Sequence, residues 1–220
     1  MKKTIVIMSD NHSNWKVDVP GGDIFVHCGD WSYTGSQKSL KKFNNFLGNL
    51  PHKHKLYIPG NHELGMEQNF NFYKETITNG TCIHNTELEI DGLKFFGSAY
   101  TPIFNNWAFM KSDEQRKRYW EFAPDNVNIL VSHGPPHGLL DTVDGLEWGS
   151  GKLKHLGCIH LRKYIERVKP KLACWGHIHS SYGQMTLKAW EPNEQNTLCI
   201  NAALLDERYK MVNKPIVVEI

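Results

Sequence analysis

A chain of 220 residues with 40% apolar and 22% charged side chains is long enough to bury one sizeable core, and its composition is not that of a disordered chain. Its 25 basic and 23 acidic residues are well mixed along the sequence, which leaves a formal charge of +2 and no basic track for a nucleic-acid polymer or a membrane surface. No stretch reaches the roughly 18 apolar residues of a membrane span, and five cysteines, odd in number and without C-x-x-C spacing, fit a reducing, cytoplasmic setting.

One domain over residues 1–220 is the expectation for this length. The opening Met1-Lys2-Lys3 resembles the start of a leader peptide, but the apolar run behind it stops too early, at Ser9-Asp10. Residues 5–8 read instead as a buried strand closed by that polar pair, and residues 24–28 repeat the pattern before Gly29-Asp30. Leu40, Phe43, Phe46 and Leu47 have the three-to-four spacing of a helix over 37–50. Residues 56–58 form the next strand, ended by Pro59-Gly60-Asn61, and 88–98 read as a hairpin turning at Asp91-Gly92. A helix follows at 113–122, where Arg116-Lys117-Arg118 reads as a solvated face. Strand 127–132 leads to His133-Gly134, helix 158–168 intervenes, and strand 172–175 leads to Gly176-His177. Further strands are expected at 184–187, 197–201 and 216–220. Alternating strands and helices indicate an α/β domain, and the surplus of strands indicates two packed sheets. Two long connections, the aromatic-rich 99–111 and 134–157, have the length of functional loops.

Histidine is the compositional outlier, with 12 in the chain, and its imidazole is the commonest metal ligand. Asp10, His12, Asp30, Asn61, His62, His133, His177 and His179 all follow predicted strands, the edge at which ligand sites of α/β sheets collect. Two carboxylates, one amide oxygen and four imidazoles, with His62 left over, suffice for two cations if Asp30 bridges them. Taken singly, Asp10-Asn11-His12 also reads as a turn, and Gly29-Asp30 says less still. Gly60-Asn61-His62-Glu63 is harder to dismiss, because a turn gives no reason for His and Glu. Two imidazoles one residue apart, at His177 and His179, need partners for their nitrogens. The specificity lies in the combination and its order.

In that order the clusters read D-x-H, G-D, G-N-H-[ED], a lone H and G-H-x-H, a pattern that resembles the calcineurin-like metallophosphoesterase superfamily. The likeness extends over nearly the whole chain towards the metallophosphoesterase-domain-containing branch, through Gly22 to Asp30, Ser132-His133-Gly134-Pro135-Pro136, Gly157-Cys158 and Lys214-Pro215. The resemblance implies a four-layer α/β/β/α sandwich and a phosphoric ester hydrolase with two divalent cations. It assigns Asp10, His12, Asp30 and His179 to the first cation, and Asp30, Asn61, His133 and His177 to the second. Manganese is the favoured ion, with iron, zinc and nickel also found in such proteins. Two cations roughly 3.5 to 4 Å apart make a bridging water acidic enough to be hydroxide, the expected nucleophile. His62 is then placed to protonate the departing oxygen, and Glu63 either orients it or serves as a cap or surface residue.

A phosphomonoester dianion is commonly clamped by arginine, and none of the five arginines lies in a motif. Trp31-Ser32-Tyr33-Thr34-Gly35 departs from the G-D-x-V-D-R-G of the serine/threonine protein phosphatases. A small phosphodiester, with a cyclic nucleotide as one candidate from the resemblance, is therefore the expected substrate. A small-molecule phosphomonoesterase is the next reading, and a metal-binding, non-catalytic scaffold the alternative of another class. Asn61, His137 and Trp107 are candidates for substrate contact, and Phe104 and Trp148 for stacking on a base. No feature of the sequence speaks to oligomeric state.

Overall fold

The computed structural model describes residues 2–143, 153–191 and 193–220. The first half runs β1 (Thr4–Met8), β2 (Ile24–His27), α1 (Gln37–Asn49), β3 (His54–Tyr57), α2 (Leu64–Gln68), α3 (Phe70–Thr76), β4 (Thr81–Cys82), β5 (Glu87–Ile90) and β6 (Leu93–Ser98). The second half adds β7 (Thr101–Pro102), β8 (Met110–Lys111), α4 (Asp113–Glu121), β9 (Ile129–Ser132), β10 (Thr142–Val143), β11 (Lys154–His155) and α5 (Ile159–Val168). It ends with β12 (Leu172–Trp175), a 3-10 turn at His179–Ser181, β13 (Gly183–Leu187), β14 (Thr197–Asn201) and β15 (Ile216–Glu219).

One sheet has the order β15-β1-β2-β3-β4 and the other β13-β14-β12-β9-β6-β5. Strands β1 to β4 are parallel, with β15 antiparallel at the edge. In the second sheet β6, β9, β12 and β14 are parallel, flanked by antiparallel β5 and β13. All the parallel strands of a sheet therefore deliver their carboxyl ends to one edge, and the two edges meet. Ser9 makes a bridge with Ala203, and its N–H donates to the carbonyl of Ala202 at 2.9 Å.

The two-residue period of the strands sorts the apolar side chains into three layers. Ile5, Ile7, Ile24 and Val26 meet Ile129, Val131, Leu172 and Cys174 between the sheets. Their neighbours Val6, Met8 and Phe25 point the other way, onto Leu40, Phe43 and Leu47 of α1. Leu130, Ala173 and Trp175 cover the far face with Trp120 of α4 and Leu161, Tyr164 and Ile165 of α5. The arrangement is the expected α/β/β/α sandwich. Burying each large apolar side chain contributes about 1.5 to 3 kcal/mol, so the strands are firmly held and their ends can carry strained, polar loops.

The helices begin where local capping dictates. The Ser36 hydroxyl accepts the N–H of Ser39 ahead of α1, and Ser112 forms a reciprocal capping box with Gln115 ahead of α4. The structure differs from the sequence expectation in the short strand β4, in the strand pairs β7–β8 and β10–β11 that lie within the connections 99–111 and 134–157, in two short helices and in one arginine. The short helices α2 and α3 were not anticipated, because Gly65, Asn69 and Asn71 interrupt any apolar period there. Arg116 is buried rather than solvated: its guanidinium donates to the Lys111 carbonyl, to Cys158 Sγ and to Asp113, so only Lys117 and Arg118 of that run are exposed. Among the described residues no helix is long and apolar enough to cross a membrane.

Candidate metal centre

Each polar cluster hangs from a strand end, and several leave the strand by an unusual backbone turn. Asp10 (φ 54°), His12 (φ 39°), Asp30 (φ 54°) and His177 (φ 69°) occupy the left-handed region, at a cost of order 1 kcal/mol or more each. The motif glycines answer a crowding requirement. A Cβ on Gly60 would run into the Asp30 carboxylate and the His133 ring, and one on Gly176 into Asp10 and Ser9.

Backbone hydrogen bonds, one between the sheets and one within the first sheet, fix the carboxylates. Asp10 Oδ2 accepts the N–H of His177 at 2.9 Å, joining the end of β1 to the end of β12. Asp30 Oδ1 accepts the N–H of His62 at 2.8 Å. Asp30 Oδ2 is left facing three imidazoles, with Nε2 of His133 at 3.4 Å, of His12 at 3.8 Å and of His62 at 4.0 Å.

Backbone carbonyls orient the rings. A carbonyl only accepts, so Nδ1 of His133 carries a proton donated to Cys28 (2.9 Å), Nδ1 of His179 one donated to Asp206 (2.9 Å), and Nδ1 of His62 one donated to Tyr33 (2.9 Å). In each case Nε2 is the nitrogen turned to the centre, which is how ligating histidines are commonly arranged. Nε2 of His133 lies 2.8 Å from Asn61 Oδ1, and Nε2 of His179 lies 3.4 Å from Asp10 Oδ1.

Without a cation the centre compensates its own charge. Burial alone would lower His133 and His179, but the carboxylates of Asp30 and Asp10 outweigh it and raise both to about 9. Burial works to raise Asp10 and Asp30, yet the facing imidazoles hold both below the ordinary carboxylate range. Burial dominates at His12 and His177, lowering them to about 4 and about 3.

Three overlapping groups have ligand atoms within 4.8 Å of one another: Asp10, His12 and His179; His12, Asp30 and His62; Asp30, His133 and His177. Asp10 Oδ1 and both ring nitrogens of His12 are buried without a hydrogen-bond partner, although leaving such groups unpaired is costly. A mixed oxygen and nitrogen donor set with orphaned, converging atoms fits divalent cations.

A family model described as calcineurin-like phosphoesterase matches residues 3–181. The chain belongs to this family. Metallophosphoesterase domain-containing protein 1 of human and of mouse is 32% identical over 241 residues, an alignment that covers 98% of this chain and 70% of the relative. Among solved structures, TT1561 of Thermus thermophilus superposes with a TM-score of 0.59 at 14% identity, covering 98% of this chain and 99% of that one. Purple acid phosphatase PPD1 of yellow lupin gives 0.55 at 14% identity, covering 100% and 48%. These two likenesses show the fold.

Within this calcineurin-like frame, the seven candidate ligands and His62 fall in one cluster. Trp107 joins it by stacking on His62, ring centroids 4.2 Å apart, and Phe104 reaches the His177 ring at 5.4 Å. His137 is exposed and turns to other partners, with its ring 5.3 Å from that of His155 and its N–H donated to the Cys158 carbonyl. Trp148 lies outside the described residues.

Glu63 stands at the N-cap of α2 without a side-chain capping bond, and its carboxylate is engaged by the Asp30 loop and Gly60 instead of the His62 ring. It is fully buried, and its carboxylate accepts from the N–H groups of Asp30, Ser32 and Gly60 and from the Ser32 hydroxyl, tying the Asp30 loop to the Asn61 loop. Burial, and then the charge of Asp30, raise it to about 8. His27, next to the centre and absent from the candidate set, is satisfied internally: its Nδ1 accepts the N–H of Gly29, so Nε2–H donates to Asn11 Oδ1.

Proposed function

We propose that the chain is a single-domain, cytoplasmic phosphoesterase that works with two divalent cations, manganese favoured, and that its preferred substrates are small phosphodiesters. The observation that carries the reading is the orphaned donor set: Asp10 Oδ1 and both nitrogens of His12 are buried without a hydrogen bond, and His12 Nε2 lies 4.0 Å from Asp10 Oδ1 and 3.8 Å from Asp30 Oδ2. In this reading Asp10, His12, Asp30 and His179 hold one cation, Asp30, Asn61, His133 and His177 the other, with Asp30 shared. Bound there, the cations supply Lewis-acid charge and an acidified water.

The residues of the chain do the rest. The Tyr33 carbonyl fixes the His62 ring with Nε2 towards Asp30, where a proton on Nε2 is available to a departing oxygen. Stacking of Trp107 on the ring helps hold it in that orientation. Asn61 doubles as ligand and substrate contact, and Trp107 borders the leaving-group side.

A diester carries one charge and needs no arginine clamp. Four of the five arginines stand on the helices that cover the outer face of the second sheet, Arg116 and Arg118 on α4 and Arg162 and Arg167 on α5. One observation favours a monoester instead: Arg208 belongs to the turn whose Asp206 carbonyl orients His179. Manganese-loaded protein assayed with a bis-aryl phosphodiester and the matching monoester decides between them. Faster diester cleavage is expected, and the reverse order removes the diester preference. Metal binding without hydrolysis of either ester makes the protein a scaffold.

A further inference from the structure

Two tyrosines outside every sequence motif stand over the candidate ligands. The Tyr33 ring centroid lies 5.5 Å from that of His12, and the Tyr209 centroid lies 4.9 Å from His12 and 5.5 Å from His179. The two phenol rings are 6.0 Å apart and tilted by 36°.

Both are held by groups that also orient a ring of the centre. The Tyr33 carbonyl accepts from His62. The Asp206 carbonyl accepts from His179 and from the N–H of Tyr209, while Asp206 Oδ1 accepts the N–H groups of Arg208 and Lys210. That turn presents Tyr209 at φ 57°, a conformation an aromatic residue adopts at a cost.

With the backbone fixed in this way, Tyr33 and Tyr209 are still 50% and 45% exposed. Aromatic surface left open at the rim of a polar, converging site is the composition of a small-molecule pocket. Trp107 differs, since its ring face is taken by His62. On the basis of the phosphoesterase reading above, we propose that Tyr33 and Tyr209 form a wall that receives the organic group of the ester, and that this wall selects a flat aromatic or heteroaromatic group over an alkyl one. Stacking uses the face that every such ring has, so the wall distinguishes ring from chain and not one ring from another. Arg208 and Lys210, exposed on the same turn, add positive charge beside it.

The test is calorimetric titration of manganese-loaded protein with methylphenylphosphinate and dimethylphosphinate. These are monoanions with no P–O–C bond to hydrolyse, and they differ in the ring. Wild-type protein should bind the phenyl compound about tenfold tighter, the scale of one stacking contact. Tyr33→Ala and Tyr209→Ala should each lower that ratio several-fold, and Tyr209→Phe should keep it. A wild-type ratio near one overturns the wall, as does a ratio unchanged in the double alanine variant. Equal weakening of both compounds in a variant with normal manganese content also overturns it, because that is a purely structural effect. Turnover of bis-p-nitrophenyl phosphate is read separately. Ring selectivity without hydrolysis of any ester removes the phosphoesterase reading and leaves the wall, and hydrolysis without ring selectivity does the reverse.

Discussion

Glu63→Ala should loosen the centre without touching a candidate ligand. The native carboxylate accepts four hydrogen bonds: from N–H of Gly60 (2.7 Å), Asp30 (2.9 Å) and Ser32 (3.0 Å), and from the Ser32 hydroxyl (2.9 Å). Alanine leaves three buried backbone donors without a partner, each costing about 1 to 3 kcal/mol, while the hydroxyl is free to rotate elsewhere. Part of that cost is offset. Burial and the Asp30 charge already disfavour the carboxylate, as its pKa of about 8 shows, and water can enter the vacated space. The net loss should therefore lie near the low end, about 3 kcal/mol. Glu63→Gln should cost less, about 1 kcal/mol, because its amide oxygen can keep Asp30 and Gly60 while its NH2 donates to the Ser32 hydroxyl, losing only the Ser32 N–H. Urea unfolding of the metal-free variants measures both losses, at an m-value close to that of the wild type. Manganese affinity should fall in Glu63→Ala, since the Asp30 and Asn61 loops lose their tie. A loss under about 1 kcal/mol with unchanged manganese affinity would refute the reasoning, because the loops would then hold their geometry without the carboxylate.

His62→Ala should retain manganese and lose turnover by about 10² to 10⁴ on a diester with an alkoxide leaving group, but far less on a p-nitrophenyl ester, whose leaving group needs no proton. Full activity on the alkoxide substrate would exclude His62 as the acid. His84 tests a different part of the molecule. Its ring is buried among Phe70, Tyr100 and Phe109, Nδ1 accepts the N–H of Ala99, and burial followed by the charge of Lys111 lowers its pKa to about 3. The folded protein keeps it neutral while the unfolded chain protonates it near the ordinary 6.5. Its contribution is thus complete above that pH and is lost as pH falls towards 3, by about 1.4 kcal/mol per pH unit. Metal-free wild type and His84→Gln, unfolded by urea at pH 7.5 and 5.0, should differ in slope by one proton; identical slopes would show that His84 titrates normally in the fold.

The order of the candidate ligands was legible in the sequence because each follows a strand whose period breaks where the polar residue begins, as at Met8, His27 and Trp175. The two-sheet architecture was legible for a related reason: Ile5 and Val6, or Ile129 and Leu130, are both apolar, and only a strand covered on both faces needs that. What crosses between the sheets was not. The bond from the His177 N–H to Asp10 spans 167 residues of sequence, and nothing local marks it.

The residues that sequence reasoning missed have a common physical character. The candidate ligands of this centre are side-chain carboxylates, imidazoles and an amide, so their residue types advertise them. Aiming such a ligand needs only a carbonyl, which every residue carries. Cys28 orients His133, Tyr33 orients His62 and Asp206 orients His179, each by its backbone oxygen alone. Such a requirement constrains where the chain runs and leaves the side chain free for another purpose. At Tyr33 the free side chain is an aromatic ring over His12, and at Asp206 it builds the turn that carries Tyr209 to the same place. The segments that hold the centre in register are therefore also the ones that shape its mouth, and a substitution at Asp206 should disturb the aim of His179 and the placing of Tyr209 together.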